Sequence, residues 1–530
     1  MIRRFALLCA LVLGAAAAQA RPAARVAPYL EVDQTVVAGL GRQSEVLTYT
    51  TLAAGVDASI AGPNAEGQVS YRYEHQIGWG RRAGDSDIHS GLARGRLTVA
   101  PGLSLEGGAI AARARSDMRG PALGLPTGGR ANIAQVYSAY AGPTLVTEAG
   151  GLDVMAAYRI GYTKVDNGDP IVLAPGQARL DLFDDAVSHL ATASIGMSPR
   201  ALPLGWKLSG AWQHENAGQL SQRFDDRMVR GEVTVPISHS VALVGGIGHE
   251  AVEISQRRPL RDAGGAPVID GNGRFVADRA APRQLAYDYE GLIWDVGVLW
   301  RPSHRTTLEA HVGKRYRSTI YTGSFQYRMN GGAALSVTVY DGLQSFSRQL
   351  NAGLAGLPTA FGVFRNPLTQ NYGGCIYGSA DAGGCLGDAF QSISTAQYRA
   401  RGATAVLSVN RGPWSGGVGI GHARRRFIAP ADSLFFSLDG VTDRSWFAEA
   451  QLGRRIDAKS SAEGSLFANR YDSGIAFAPD VTSTGATAAY YRLIGRRLSA
   501  SAALGLYRTD VDGAGSETVG TALLGMRYTF

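Results

Sequence analysis

The chain has 530 residues, 18% of them charged, with 69 glycines, 22 tyrosines and a formal net charge of +8. Beyond the first twenty residues no stretch approaches the roughly 18 consecutive apolar residues of a membrane helix, which excludes a helical membrane protein. A basic balance can mean a nucleic-acid partner, but the N-terminus carries an export signal, so no nucleic acid is expected. The arginines read instead as lumen or loop residues facing lipopolysaccharide, small anionic solutes or polysaccharide.

Residues 1–20 supply that signal: Arg3 and Arg4, an apolar run from Phe5 to Ala18, then Ala18-Gln19-Ala20. A basic start, a short apolar run and an A-x-A site make a cleaved secretory signal, too short to span a bilayer. Cys9 lies inside the apolar run after Leu8, which is wrong for lipidation. The expected division is therefore 1–20 signal peptide and 21–530 mature chain. The first strand candidate, 26–37, follows almost at once, which disfavours a transporter plugged by an N-terminal globular domain.

The clearest internal strand is 68–79. Val69, Tyr71, Tyr73, His75, Ile77 and Trp79 share one face, and Gln68, Ser70, Arg72, Glu74, Gln76 and Gly78 the other. Alternation of period 2 over that length is a strand signal. The same pattern recurs at 46–60, 153–165, 291–300, 307–316 and 498–507, with no helical pattern between. Many such strands in series predict an all-β fold, a single transmembrane antiparallel β-barrel. The count is about 22 strands, with 20–24 as the range, since segments such as 135–141 alternate weakly. On this register the charged residues Arg72, Glu74, Arg94, Arg96, Glu106, Arg159, Glu309 and Arg315 line the lumen. Their mixed signs give no strong ion preference.

Connections alternate in length. Short ones fall near 61–67, 100–102, 236–240, 301–305, 411–413, 457–459 and 495–497; long ones at 80–88, 116–133, 166–186, 255–284, 342–397 and 428–443. Short periplasmic turns and long extracellular loops are the habit of outer-membrane barrels. The tight connection at 316–318 is the exception.

Segment 342–397 is long enough to fold into the lumen as a constriction. It holds Cys375 and Cys385, which in an exported chain should form a disulfide. The small closed loop would contribute roughly 2–3 kcal/mol. Two other stretches hold chemistry-bearing residue types. Asp85-Ser-Asp-Ile-His-Ser90 has those of a hydrolase, but nucleophilic catalysis needs a geometry that neighbouring loop residues rarely supply. Asp262, Asp270 and Asp278 are oxygen ligands without EF-hand spacing, and Asp270-Gly-Asn-Gly273 is first a hairpin turn. No catalytic residue, metal or cofactor is assigned, and the chain is not expected to be an enzyme.

The chain ends Thr521-Ala-Leu-Leu-Gly-Met-Arg-Tyr-Thr-Phe530, with Ala522, Leu524, Met526, Tyr528 and Phe530 on one face and Leu523 the apolar intruder on the other. This ending resembles the C-terminal signal of bacterial outer-membrane barrels. That likeness implies recognition of Tyr528 and Phe530 by the barrel-assembly machinery in a Gram-negative outer membrane. The run Leu299-Trp-Arg-Pro-Ser-His-Arg-Thr-Thr307 and Tyr321-Thr-Gly-Ser-Phe-Gln-Tyr327 resemble the outer-membrane barrels associated with PEP-CTERM/exosortase exopolysaccharide systems. Pro28–Asp33, Val69–Glu74, Leu180–Asp185, Val339–Gly342 and Ala502–Tyr507 are similar to long barrel proteins of sphingomonad-type bacteria. Some of those carry a preprotein-translocase-subunit (YajC) label, although the true subunit is a short protein with one membrane helix. The resemblance implies a porin-like passive pore or export conduit linked to surface exopolysaccharide. The alternative is a non-conducting structural or surface-interaction barrel whose lumen is filled by loop 342–397.

Overall fold

The computed structural model describes residues 23–41, 46–80, 84–115, 133–167, 182–199, 203–362, 365–368, 374–378, 382–390, 393–430, 438–475, 478–513 and 515–530. The signal segment 1–20 lies outside them. Twenty-two strands form one antiparallel sheet. They run from β1 (Ala23–Gly39) to β15 (Ala333–Gln344) and, after a long inward segment, from β19 (Gln397–Arg411) to β25 (Gly515–Thr529).

Each strand pairs with its neighbour in sequence, and the sheet closes on itself where β1 meets β25, Tyr29 opposite Thr529 and Gly39 opposite Val519. The last backbone bond of the seam runs from the Phe530 N–H to the Pro28 carbonyl, 3.0 Å. A closed sheet has no free edge, which a spanning structure needs because hydrocarbon offers backbone groups no partner.

The faces sort as a period of two demands. On β3 (Ala65–Trp79), Ser70, Arg72 and Glu74 are buried toward the lumen while Val69, Tyr71 and Trp79 are exposed outward. On β25, Leu524, Met526, Tyr528 and Phe530 face outward. Leu292, Trp294 and Val296 of β12 (Gln284–Ser303), Leu452 of β21 (Thr442–Arg455) and Leu504 of β24 (Leu498–Val511) continue this apolar outer belt. Exposed apolar outside and buried charge inside is the inverse of a soluble protein. The fold is a transmembrane β-barrel.

Three features go beyond the sequence pattern. Most of the strands are longer than the 9–11 residues a bilayer requires; β12 has 20, so they extend beyond the hydrocarbon. The weak segment at 135–141 belongs to β6 (Ile133–Ala149). Its inner face carries Ala134, Val136 and Tyr140, buried against lumen-filling residues, so both faces are largely apolar and the alternation fades. Pro143 on the same strand has no N–H to donate, and the ladder between β6 and β7 (Leu152–Asn167) skips from Ala141 to Thr144 there. Finally, β13 (Thr306–Arg315) and β14 (Ser318–Met329) join through Tyr316 and Arg317 alone, both at positive φ (53° and 58°). That is the backbone a two-residue hairpin needs to match strand twist, here held by non-glycine residues. Tyr316 is buried with Phe224, Tyr289 and Leu343, which offsets the strain.

Candidate functional site: the lumen and its inward segment

β15 and β19 are neighbours in the sheet, Gln344 opposite Tyr398, yet the chain between them takes a long path through the barrel. Ser345 begins it: its hydroxyl accepts from the Arg348 N–H at 3.1 Å and caps helix α1 (Phe346–Gly356). The helix has no β-branched residue, and Phe346, Leu350 and Leu354 fall four apart on one face. All three are fully buried against Ile110, Val136, Tyr140 and Val165 of the inner wall. At some 1.5–3 kcal/mol per buried side chain, this face anchors the segment in the lumen. The polar flank is also matched. Asn351 accepts from Ser138 at 2.9 Å, Ser347 meets Thr163 at 3.0 Å, and Arg94 donates to the carbonyls of Ala355 and Leu357 at 2.7 and 3.1 Å. The helix stops there, before Pro358.

The segment then reaches the seam. The Phe361 N–H donates to Gln68 at 3.1 Å, and Arg365 donates to Ser70 at 2.8 Å and Tyr29 at 3.3 Å. These contacts adjoin an ion network in which Arg72 bridges Glu31 (2.8 Å), Asp33 (2.9 Å) and Glu74, while Arg527 holds Glu31 at 2.6 Å. Leu368 packs against Ala489, Ala503, Tyr507 and Leu523. The apolar intruder of the last strand is therefore the lumen-side seat of a loop residue.

The far part is a hairpin. β17 (Cys375–Gly378) pairs with β18 (Gly383–Cys385) and with the short β16 (Phe361–Gly362), and Cys375 and Cys385 are joined by a disulfide. This hairpin lies on β20 (Trp414–Ile428), whose inward residues at this level are Gly417, Gly419 and Gly421. A Cβ on Gly419 would lie 2.2 Å from the Cys375 sulfur, and one on Gly417 would lie 2.2 Å from the Tyr377 ring. At Gly421 the space is taken by Phe447, which also backs Gly387 of the short helix α2 (Gly387–Phe390). Across from the glycines, Glu449 accepts from the Cys375 N–H at 2.7 Å and from the Tyr377 hydroxyl at 3.3 Å. Burial pushes the Tyr377 phenol well above its ordinary value, and the Glu449 charge adds to it, so Tyr377 remains a donor. The Gly378 carbonyl accepts from Asn410 at 3.1 Å, at the turn end of β19. The hairpin thus runs down the wall nearly to the turn end.

At the loop end, Arg348 sits 3.3 Å over the Phe224 ring and donates to Gln397 at 2.7 Å, while Ser345 donates to Glu215 at 2.6 Å. Burial pushes the Arg348 guanidinium below its usual value, opposed by Glu215 beside it. The wall of β9 (Gly205–Ala217) to β13 is different toward its turn end. Arg230 binds Asp295 through two bonds (2.8 and 2.7 Å), Lys207 meets Glu232 at 3.0 Å, and His311 bridges Asp295 and Glu309 at 2.9 Å each. Among the described residues no hydrogen bond or ion pair joins this group to the inward segment. It is a mixed-charge patch on the inner wall toward the turn end.

The other residues singled out from sequence distribute as follows. Arg94 and Arg159 flank Glu106 at 3.7 and 3.8 Å, and Arg96 stands opposite Glu106 in the register, exposed to the lumen. Arg315 is chelated by Glu250 below the tight turn. Tyr528 and Phe530 pack edge to face on the outer wall, ring centres 5.1 Å apart.

In the 85–90 stretch, Asp87 accepts from His75 and Tyr73, and His89 bonds Tyr71 at 2.7 Å, all on the outer face; Ser90 is buried on the lumen side. Side chains on opposite faces of one strand cannot share a substrate. Asp262, Asp270 and Asp278 each fold back on the N–H groups of their own turns. Among the described residues no group of three His, Cys, Asp or Glu could hold a metal. The glycine seat on β20 was not singled out from sequence, although Gly417-Val-Gly-Ile-Gly421 shows glycine at every second position.

No family model and no curated protein matches the chain. Solved structures similar to it include the FrpB iron transporter from Neisseria meningitidis (F5-1 variant), with TM-score 0.43 and 12% identity over 95% of this chain and 82% of that one. The ferric-catecholate import receptor Fiu from E. coli K12, open form, gives 0.45 and 10% over 94% and 81%. The siderophore receptor PirA from Acinetobacter baumannii gives 0.40 and 8% over 95% and 80%. The fold assignment rests on the strand register of this chain itself.

Proposed function

We propose that the protein is an outer-membrane conduit held shut at rest by its own inward segment, 345–396, and passable only when that segment shifts. The apolar outer belt and the closed seam support the outer membrane as its place, and the alternation of short turns with long loops supports the loop end outward. The single observation that carries the gated reading is the glycine seat: the hairpin residues Tyr377 and Cys375 occupy the space that a side chain at Gly417 or Gly419 would take. A wall shaped to the segment holds it in one defined position inside the barrel. The mixed-charge patch on the inner wall favours a polar, weakly charge-selective cargo. Surface polysaccharide is the cargo class to which the sequence resemblance points, and a hydrogen-bonding inner wall suits it.

The test is a swelling assay on proteoliposomes with sugars of graded size. Because β15 and β19 are adjacent and antiparallel, a short Gly-Ser turn can replace 346–395 without disturbing the sheet. The shortened protein should admit sugars that the full chain excludes. Equal permeation by both would overturn the gated reading, and permeation by neither would favour the non-conducting structural barrel.

A further inference from the structure

The outward-facing arginines at the loop end fall into two kinds. Most have a carboxylate on the same face: Arg227 with Asp225 at 2.9 Å, Arg470 with Asp472 at 3.0 Å, Arg508 with Asp510 at 3.0 Å, and Arg401 with Asp341 at 2.9 Å. Arg424, Arg426 and Arg444 have no ion pair among the described residues, and all three are exposed.

They also stand together. Arg424 lies directly opposite Arg444 on β21 and opposite Arg401 on β19, and Arg426 is opposite Arg399; Asp341 already pairs with both Arg399 and Arg401, and Asp472, opposite Arg444 on the next strand, pairs with Arg470 instead. Like charges directly opposite destabilise a sheet. Such an arrangement on the outer wall is stable in the presence of an anion that bridges it.

Position identifies the anion. One step nearer the turn end on the same faces, His422 stacks on Trp446, ring centres 3.9 Å apart. Below that pair the outer face of β20 continues with Ile420, Val418 and finally Trp414, all exposed. From His422 to Trp414 a tilted strand covers roughly 20 Å along the bilayer normal, close to the height of the apolar band of such barrels. The aromatic pair therefore marks the loop-end edge of the hydrocarbon, and the arginines project at headgroup level, away from the lumen. Guanidinium groups grip phosphate through paired hydrogen bonds.

We propose that Arg424, Arg426 and Arg444 form a binding site on the outer wall for the phosphates of an outer-leaflet glycolipid of the lipid A type. The site rests on the orientation argued above, loop end outward, and is independent of whether the lumen is gated.

The experiment measures binding of detergent-solubilised protein to diphosphorylated lipid A, to dephosphorylated lipid A and to inorganic phosphate. The variant is Arg424→Ser/Arg426→Ser/Arg444→Ser, with Arg508→Ser, whose partner is Asp510, as comparator. Folding is checked by the heat-modifiable migration of the barrel on gels. The triple variant should bind diphosphorylated lipid A at least tenfold more weakly, with Arg508→Ser within twofold of the parent, and removal of the phosphates should weaken the parent's binding as much. Should the triple variant fail to fold, Arg444→Ser alone should lose severalfold. Three results would overturn the proposal: folded variants that bind like the parent, equal affinity for dephosphorylated lipid A, or displacement of lipid A by an equal concentration of inorganic phosphate.

Discussion

Gly419 and the sulfur of Cys375 meet so closely that one added methyl would lie 2.2 Å from the sulfur, and 3.2 Å from that of Cys385. The barrel wall and the disulfide hairpin are therefore one fitted surface. Valine at 419 favours a strand, so Gly419→Val should leave the barrel folded while displacing the hairpin at a cost of about 1–3 kcal/mol of overpacking. Hydrogen exchange should show faster amide exchange at 375–378 and 383–385, with the wall unchanged.

Glu449 is the polar half of the same seat. Replacing it by alanine removes the acceptor for the Cys375 N–H and the Tyr377 hydroxyl, and unpaired buried donors cost about 1–3 kcal/mol. Glu449→Gln keeps an acceptor oxygen and should lose less. Limited proteolysis within the hairpin reports the order: parent slowest, glutamine intermediate, alanine fastest.

The helix can be loosened separately. Leu350→Ala should cost about 2–5 kcal/mol of local stability, and Ser345→Ala about 1 kcal/mol through loss of the cap. Neither residue belongs to the sheet, so exchange within α1 should accelerate while the thermal transition of the barrel barely moves. A matching fall in barrel stability would show that helix and wall unfold as one unit.

Phe530 contributes the last backbone bond of the seam and an outward ring packed on Tyr528. Deleting it should reduce the fraction of heat-modifiable, assembled barrel in membranes severalfold, with a smaller effect on refolding in detergent. Equal losses in both settings would assign Phe530 to closure alone rather than to assembly in the cell.

These contacts also show which parts of the molecule a sequence can reveal. Strand faces were legible because each residue of 68–79 is sorted by its own polarity, and neighbours two apart agree. The C-terminal strand was legible for the same reason. The inward segment was visible as a long glycine-rich loop with two cysteines, but its seat was not. Contacts such as Arg94 with the Leu357 carbonyl, or Leu368 with Leu523, join residues far apart in the chain, and no local period encodes them. Their trace is negative: an apolar residue on a polar face at Leu523, faded alternation at 135–141, and missing side chains at Gly417 and Gly419. Each departure from the strand pattern marks a place where something other than water occupies the lumen.

Single-channel conductance in a planar bilayer reads out whether segment 345–396 closes the barrel. The parent protein should be silent at low voltage, and reduction of Cys375–Cys385 together with Gly419→Val should produce steps of nanosiemens size. Steady steps of that size from the parent protein itself, unchanged by either alteration, would contradict the account.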